Sequence, residues 1–239
     1  MKQILLAFAV AACALGCDSQ GSVFDLRTPD IPNPINPDDF VDAVTNPLWP
    51  MSPGTSWSFR VTEPDGSVVT NEVEVLTDKR LTDGVQATVI WDRVFRDGEM
   101  IEETWDWYAQ DRSGNVWYLG EETYEYRDGE RVCACGAWES GVDGALAGIM
   151  VPADPGVGDI YYQEYYQGVA EDTGEILAVN QDVTVPAGTY TGCMQVRDTT
   201  PLDVTVLEHK YFCPGIGPTL GVDVNGGNLR EELVAHRRP

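Results

Sequence analysis

The chain has 239 residues, 39 of them Asp or Glu and 15 Lys or Arg, for a formal net charge of −24. A field of that sign repels phosphate backbones and anionic headgroups, which excludes electrostatic binding to nucleic acid. Hydrophobic residues make up 43%, with seven Trp and ten Tyr, enough apolar area to exclude wholesale disorder, and no apolar run is long enough for a spanning helix.

Met1-Lys2 gives a positive start, and Ile4 to Leu15 is apolar, the length of a signal-peptide core. Ala14-Leu15-Gly16-Cys17, followed by Asp18-Ser19-Gln20-Gly21, resembles the lipobox of bacterial lipoproteins. In that family small residues precede a Cys that is lipidated and becomes the new N-terminus; Ala14 departs from the more usual Leu. The resemblance implies a lipoprotein signal peptide over 1–16, a lipid on Cys17, and a membrane as partner through that anchor. Its location would be the bacterial cell envelope, with the domain on the periplasmic or extracellular side. Each buried methylene adds roughly 0.8 kcal/mol, so two or three acyl chains hold stably. The alternative is an ordinary cleaved signal with an incidental Cys.

Residues 17–45 form a Pro/Asp-rich tether, with four prolines between Thr28 and Asp39. Proline removes ladder donors and favours extended, solvated chain. The other reading is a strap along the domain surface, since Phe40, Val41, Leu48 and Trp49 offer apolar anchors.

Residues 46–239 read as one β domain, with a tail after about 224. Val85, Ala87, Val89 and Trp91 fall on one face of an extended segment, with Gln86, Thr88 and Asp92 opposite. Runs rich in Val, Tyr, Trp and Thr follow at 100–109, 116–126, 159–168, 182–185, 188–199 and 204–213. Between strands stand turn pairs such as Asp83-Gly84, Asp97-Gly98 and Asp128-Gly129. The Gly-rich 139–151 region reads as a crossover loop. The fold class is all-β, an antiparallel meander of about nine to eleven strands forming a curved sheet or half-barrel. Asp111-Arg112-Ser113-Gly114-Asn115-Val116-Trp117 reads as a hairpin loop rather than a propeller repeat or calcium loop.

The blocks VTVPAGTYTGCMQV (183–196), VLEHKYFCPGIG (206–217) and NVWYLGE (115–121) resemble secreted bacterial β-proteins and lipoproteins without assigned activity. Their general plan is similar to the half-barrel of LolA/LolB-like lipoprotein carriers, over about residues 46–222. The chain departs from that pattern at Cys213, where a small residue is expected, and at Pro218, where Leu or Val would continue the strand.

Once Cys13 is removed and Cys17 lipidated, Cys133, Cys135, Cys193 and Cys213 remain, an even count for an oxidising compartment. If a turn is centred on residue 203, Cys193 and Cys213 face each other. Cys133 and Cys135, two apart on a strand, cannot bridge without a kink, so crosswise pairing is the rival. A zinc site is the weakest reading, and no cofactor or metal is expected. His209 reads as a half-buried strand residue, and no G-x-S-x-G or H-E-x-x-H motif supports a catalytic centre. Glu164, inside Tyr161-Tyr162-Gln163-Glu164-Tyr165-Tyr166, is the carboxylate of most interest. The usual exposure of Glu favours a solvent-facing position; the sharper reading is a carboxyl pushed up in pKa by apolar walls.

Two function classes stay open. One is a lipid-anchored, non-enzymatic binding or chaperone-like module for an apolar ligand or envelope protein, using Trp105, Trp107, Tyr162 and Tyr166. The other is a carboxylate-dependent surface hydrolase acting on glycans, with a structural envelope component as a third possibility. The lack of a nucleophile or base constellation weighs against an enzyme.

Overall fold

The computed structural model describes residues 28–134, 136–226 and 229–239. Among them the only helical element is a 3-10 turn at Pro37–Asp39; everything else regular is strand. The strands are β1 (Phe40–Val41), β2 (Ser56–Thr62), β3 (Val68–Thr82), β4 (Val85–Arg96), β5 (Glu99–Asp111), β6 (Val116–Arg127), β7 (Glu130–Cys133) and β8 (Trp138–Glu139). They continue as β9 (Leu146–Val151), β10 (Ile160–Tyr162), β11 (Glu164–Tyr165), β12 (Thr173–Val185), β13 (Gly188–Thr200), β14 (Asp203–Cys213), β15 (Gly217–Asp223) and β16 (Arg230–Arg237).

All pairings are antiparallel, in the order β10-β12-β13-β14-β15-β16-β2-β3-β4-β5-β6-β9-β11, one all-β domain curled into a nearly closed barrel. The two ends of that path are consecutive in the chain. β10 pairs with β12 through Tyr162↔Thr173, β11 pairs with β9 through Glu164↔Ala147, and only Gln163 separates them. This seam brings the sheet nearly full circle.

Turn chemistry sets the register. Asp83-Gly84, Asp97-Gly98 and Asp128-Gly129 all have positive φ at both residues, the type I′ geometry that matches strand twist. They join Thr82↔Val85, Arg96↔Glu99 and Arg127↔Glu130. At Gly120 a bulge shifts the β5–β6 register, from Trp107↔Gly120 to Tyr108↔Tyr118. A Cβ there would collide with the Trp138 carbonyl, so only glycine fits. Pro218 sits at another register shift, opposite Phe212, where its missing N–H is tolerated.

The segment before β2 docks along the barrel. Ile35 and Phe40 pack on an outer cluster of Val85, Ala87, Val89, Trp107, Ala109 and Leu119, and β1 pairs with β5. Val44, Trp49 and Met51 then turn inward and plug one end. Trp49 lies 4.9 Å from the Tyr108 ring and 5.7 Å from Phe212, and burying a large apolar side chain of this kind contributes about 3 kcal/mol. From Ile35 onward, therefore, the segment lies against the domain as a strap.

Three sequence expectations are corrected. The 139–151 region contains β9 rather than a loop, because its small residues let the seam strand approach: a Cβ on Gly148 would strike the Tyr162 and Gln163 backbone. Residues 230–237 are not a tail but β16, paired to both β15 and β2. The strand count rises to sixteen because β1, β8, β10 and β11 are only two or three residues long.

Candidate functional site

The faces of β4, β5 and β6 define two candidate regions. Cross-strand pairs Trp91↔Trp105, Val89↔Trp107 and Trp105↔Glu122 point outward. Val89, Trp105, Trp107 and Glu122 floor an open groove of about 520 Å³, bordered by Lys79, Arg80, Leu81, Tyr124 and Arg131. Trp91 and Trp105 stack at 6.3 Å, and the Arg93 guanidinium lies over the Trp91 ring at 3.7 Å. Arg80 lies 3.8 Å over Trp107 and is held by Glu139 at 2.9 Å; Arg131 lies 3.5 Å over Tyr124. Such cation–π contacts contribute roughly 0.5–1 kcal/mol each at exposed sites. Leu81, 63% exposed, supplies an uncovered apolar edge.

The inner faces of the same strands are different. Along several strands an order repeats: an apolar residue at the plug end, then a polar one, then in some an apolar residue at the far end. β4 runs Ile90, Asp92, Val94; β3 runs Val73, Asn71, Val69; β16 runs Leu233, Glu231. The result is a buried polar layer across the barrel, sandwiched between two apolar clusters. Asp92 and Asp106 face Glu121 and Glu164 there, with Asp172, Asp198, Glu208 and Glu231 on the remaining wall, all less than 8% exposed.

Among the described residues Lys210 is the only buried lysine or arginine in this layer, 2.9 Å from Asp198 and 3.8 Å from Glu208. Burial works against its ammonium, but Asp198 and Glu208 outweigh that and hold its pKa above the ordinary lysine value. One cation cannot neutralise so many carboxylates at low dielectric, so protons must. Burial raises Asp106 to about 7, against the opposing Tyr118 hydrogen bond, and Glu208 to about 7 against Lys210. Burial likewise raises Glu231 to about 8, and carries Asp92, Glu121 and Glu164 well above the carboxylate range. The Tyr118 hydroxyl bridges Asp106 at 2.7 Å and Glu121 at 3.0 Å, and Asn71 Nδ2 spans Asp92 and Glu231, each at 3.3 Å. The Tyr108 hydroxyl, buried beside Asp106 and Glu121, finds no hydrogen-bond partner among the described residues. No three His, Cys, Asp or Glu side chains among the described residues converge as metal ligands.

Cys17 lies outside the described residues. Trp105 and Trp107 share the outer groove, whereas Tyr162 and Tyr166 flank the seam and line no part of that groove. Cys193 and Cys213 are disulfide-bonded across β13 and β14, next to the pair Met194↔Phe212, so the crosswise pairing is absent. Cys133 is also disulfide-bonded, and β7 ends at it; Cys135 lies outside the described residues. Glu164 is 2% exposed rather than solvent-facing, and accepts from Trp138 Nε1 at 3.0 Å. His209 sits in β14 opposite Arg197, its Nδ1 3.0 Å from Gln195 Nε2, and burial, then Arg197, lowers its pKa. Asp111 accepts from the Asn115 backbone, its side chain and the Trp117 indole, which closes a hairpin loop. The acid layer is the feature that residue order did not reveal, because its carboxylates come from seven different strands and the segment before β12.

No family model matches the chain, and no curated protein matches it. Two solved structures are similar in part. A "putative lipoprotein" of Parabacteroides distasonis has a TM-score of 0.43 at 10% identity, over 80% of this chain and 99% of that one. A "putative exported protein with YmcC-like fold" of Bacteroides fragilis has a TM-score of 0.34 at 15% identity, over 80% of this chain and 98% of that one. Both scores are low, so the architecture rests on the strand register above.

Proposed function

We propose that this is a cell-envelope protein, anchored through a lipid on Cys17, that binds a ligand with an apolar face without transforming it. The observation that carries this reading is the open groove of about 520 Å³ around Trp105 and Trp107. The half-buried Trp105 and the exposed Leu81 offer apolar contact, while Lys79, Arg80 and Arg131 outnumber Glu122 and give the groove net positive charge in a strongly acidic protein. An amphiphile fits that combination, with its apolar part on the indoles and a negative headgroup toward the rim. The raised carboxyls, which proton-transfer chemistry would need, lie on the opposite faces of the same strands. The parallel with LolA/LolB-like carriers belongs to this proposal: a shared kind of cargo, met here on the outer face.

Titration with a fluorescent fatty acid tests it. Micromolar binding with quenched tryptophan emission is expected, weakened at least about tenfold in Trp105→Ala. Emission unmoved by the probe, or an unchanged affinity in that variant, would leave a structural envelope role as the better reading. The anchor has its own test, the intact mass of the exported protein compared with Cys17→Ser.

A further inference from the structure

The barrel closes on its shortest strands. β11 contributes two residues, Glu164 and Tyr165, paired with Ala147 and Leu146, and β10 contributes three. Between them the chain passes through Gln163 alone, whose N–H donates to Asp172 O at 2.8 Å. Short ladders of this kind are where folded proteins open first. In the middle of the seam the Glu164 side chain points into the barrel.

The groups facing Glu164 come from every neighbouring element, and most are acidic. Asp172 precedes β12, Asp106 belongs to β5 and Glu121 to β6; Lys210 of β14 acts from the far wall, where Asp198 and Glu208 already hold it. Trp138 of β8 donates one hydrogen bond, and the Tyr108 and Tyr118 hydroxyls lie within the same field. A protonated Glu164 suits this setting. An ionised Glu164 meets three carboxylates across a low-dielectric interior, and its lowest-energy escape is toward water through the seam beside it.

We propose that the β10–β11 seam is a proton-controlled opening of the barrel, shut while Glu164 carries its proton and released when that proton passes to solvent. The direction of its pKa, raised by burial and by Asp172, agrees with a shut seam near neutral pH. Opening would part Tyr162 from Thr173 or Glu164 from Ala147 and connect the acid layer to water. This inference stands on the seam alone and is independent of the outer groove.

Hydrogen–deuterium exchange of the full chain, corrected for intrinsic amide rates, tests it. Between about pH 6 and pH 9, peptides covering 160–172 should lose protection about tenfold or more beyond any loss shown by peptides from β3 and β4. Glu164→Gln should hold the seam protected at both values. A seam that does not respond, a response shared equally by β3 and β4, or a Glu164→Gln variant that opens as wild type does would each overturn the proposal. If that variant does not fold, the wild-type profile decides alone, because the seam must exchange before the rest of the barrel.

Discussion

The outer and inner faces of β4, β5 and β6 resolve charge in opposite ways. Outside, indoles meet guanidinium groups: Arg93 over Trp91, Arg80 over Trp107. Inside, carboxyls meet one another, with Lys210 as the single cation among the described buried residues of the layer. The same strand alternates between these two environments, as Trp105, Asp106, Trp107 and Tyr108 show in succession. A protein with 39 acids places part of that excess where only protons can neutralise it and sets Arg80, Arg93 and Arg131 over aromatic rings on the surface.

Removing one cation from each face tests this contrast, and the inner loss should be the larger. Lys210→Met leaves Asp198 and Glu208 buried without a counterion and should cost about 3–5 kcal/mol in urea unfolding. A loss under about 1 kcal/mol would show that protons already neutralise the layer without Lys210.

Next in size is the response to pH. Asp106 and Glu208 sit at about 7 and Glu231 at about 8, all above the unfolded carboxylate value near 4. The folded state therefore binds protons that the unfolded chain releases. The stability this gives is full below about pH 4 and falls as pH rises, until it is gone above about pH 8. A single group raised by about three pH units is worth at most about 4 kcal/mol. The melting temperature should be several degrees higher at pH 5 than at pH 8, and Glu231→Gln should flatten that slope. A melting temperature that climbs toward pH 8 would contradict the acid layer as described.

Arg80→Met should have the smallest effect. Its side chain is 40% exposed, and both its cation–π contact and its Glu139 pair are surface interactions. About 0.5–1 kcal/mol is expected by the same unfolding measurement. A cost comparable to Lys210→Met would erase the distinction between the faces.

Much of the scaffold is legible in residue order. The Asp-Gly pairs at 83–84, 97–98 and 128–129 mark type I′ turns, and the spacing of Cys193 and Cys213 places them opposite one another. Alternation in β4 separates its two faces correctly but carries no sign. The apolar set Val85, Ala87, Val89 and Trp91 lies outside, sheltered by the strap and by Trp107 and Arg80, while Thr88 and Asp92 face in. Glu164 was illegible for a related reason. The seam buries it through partners tens of residues away in sequence, Trp138 and Lys210 among them. β16 reads as a tail because its inner face ends in Glu231, matched to a polar layer that a local window does not contain.

The strand order has a kinetic consequence. The sheet is joined in two unlike places. The seam links neighbours in the chain, Tyr162 with Thr173 and Glu164 with Ala147, and can form as soon as that stretch exists. The β2–β16 pairing joins Ser56 to Arg237 and Trp57 to His236, contacts separated by nearly the whole domain. Loop closure over that distance is slow, and contacts of such high order form late. Until the last strand arrives, β2 presents a free edge with Trp57 and Phe59 beside it. A growing chain is therefore most vulnerable to misassociation just before its eight-residue strand β16 is released. Truncation within 230–237 should then trap the barrel open at β2, even though every turn and the disulfide would remain in place.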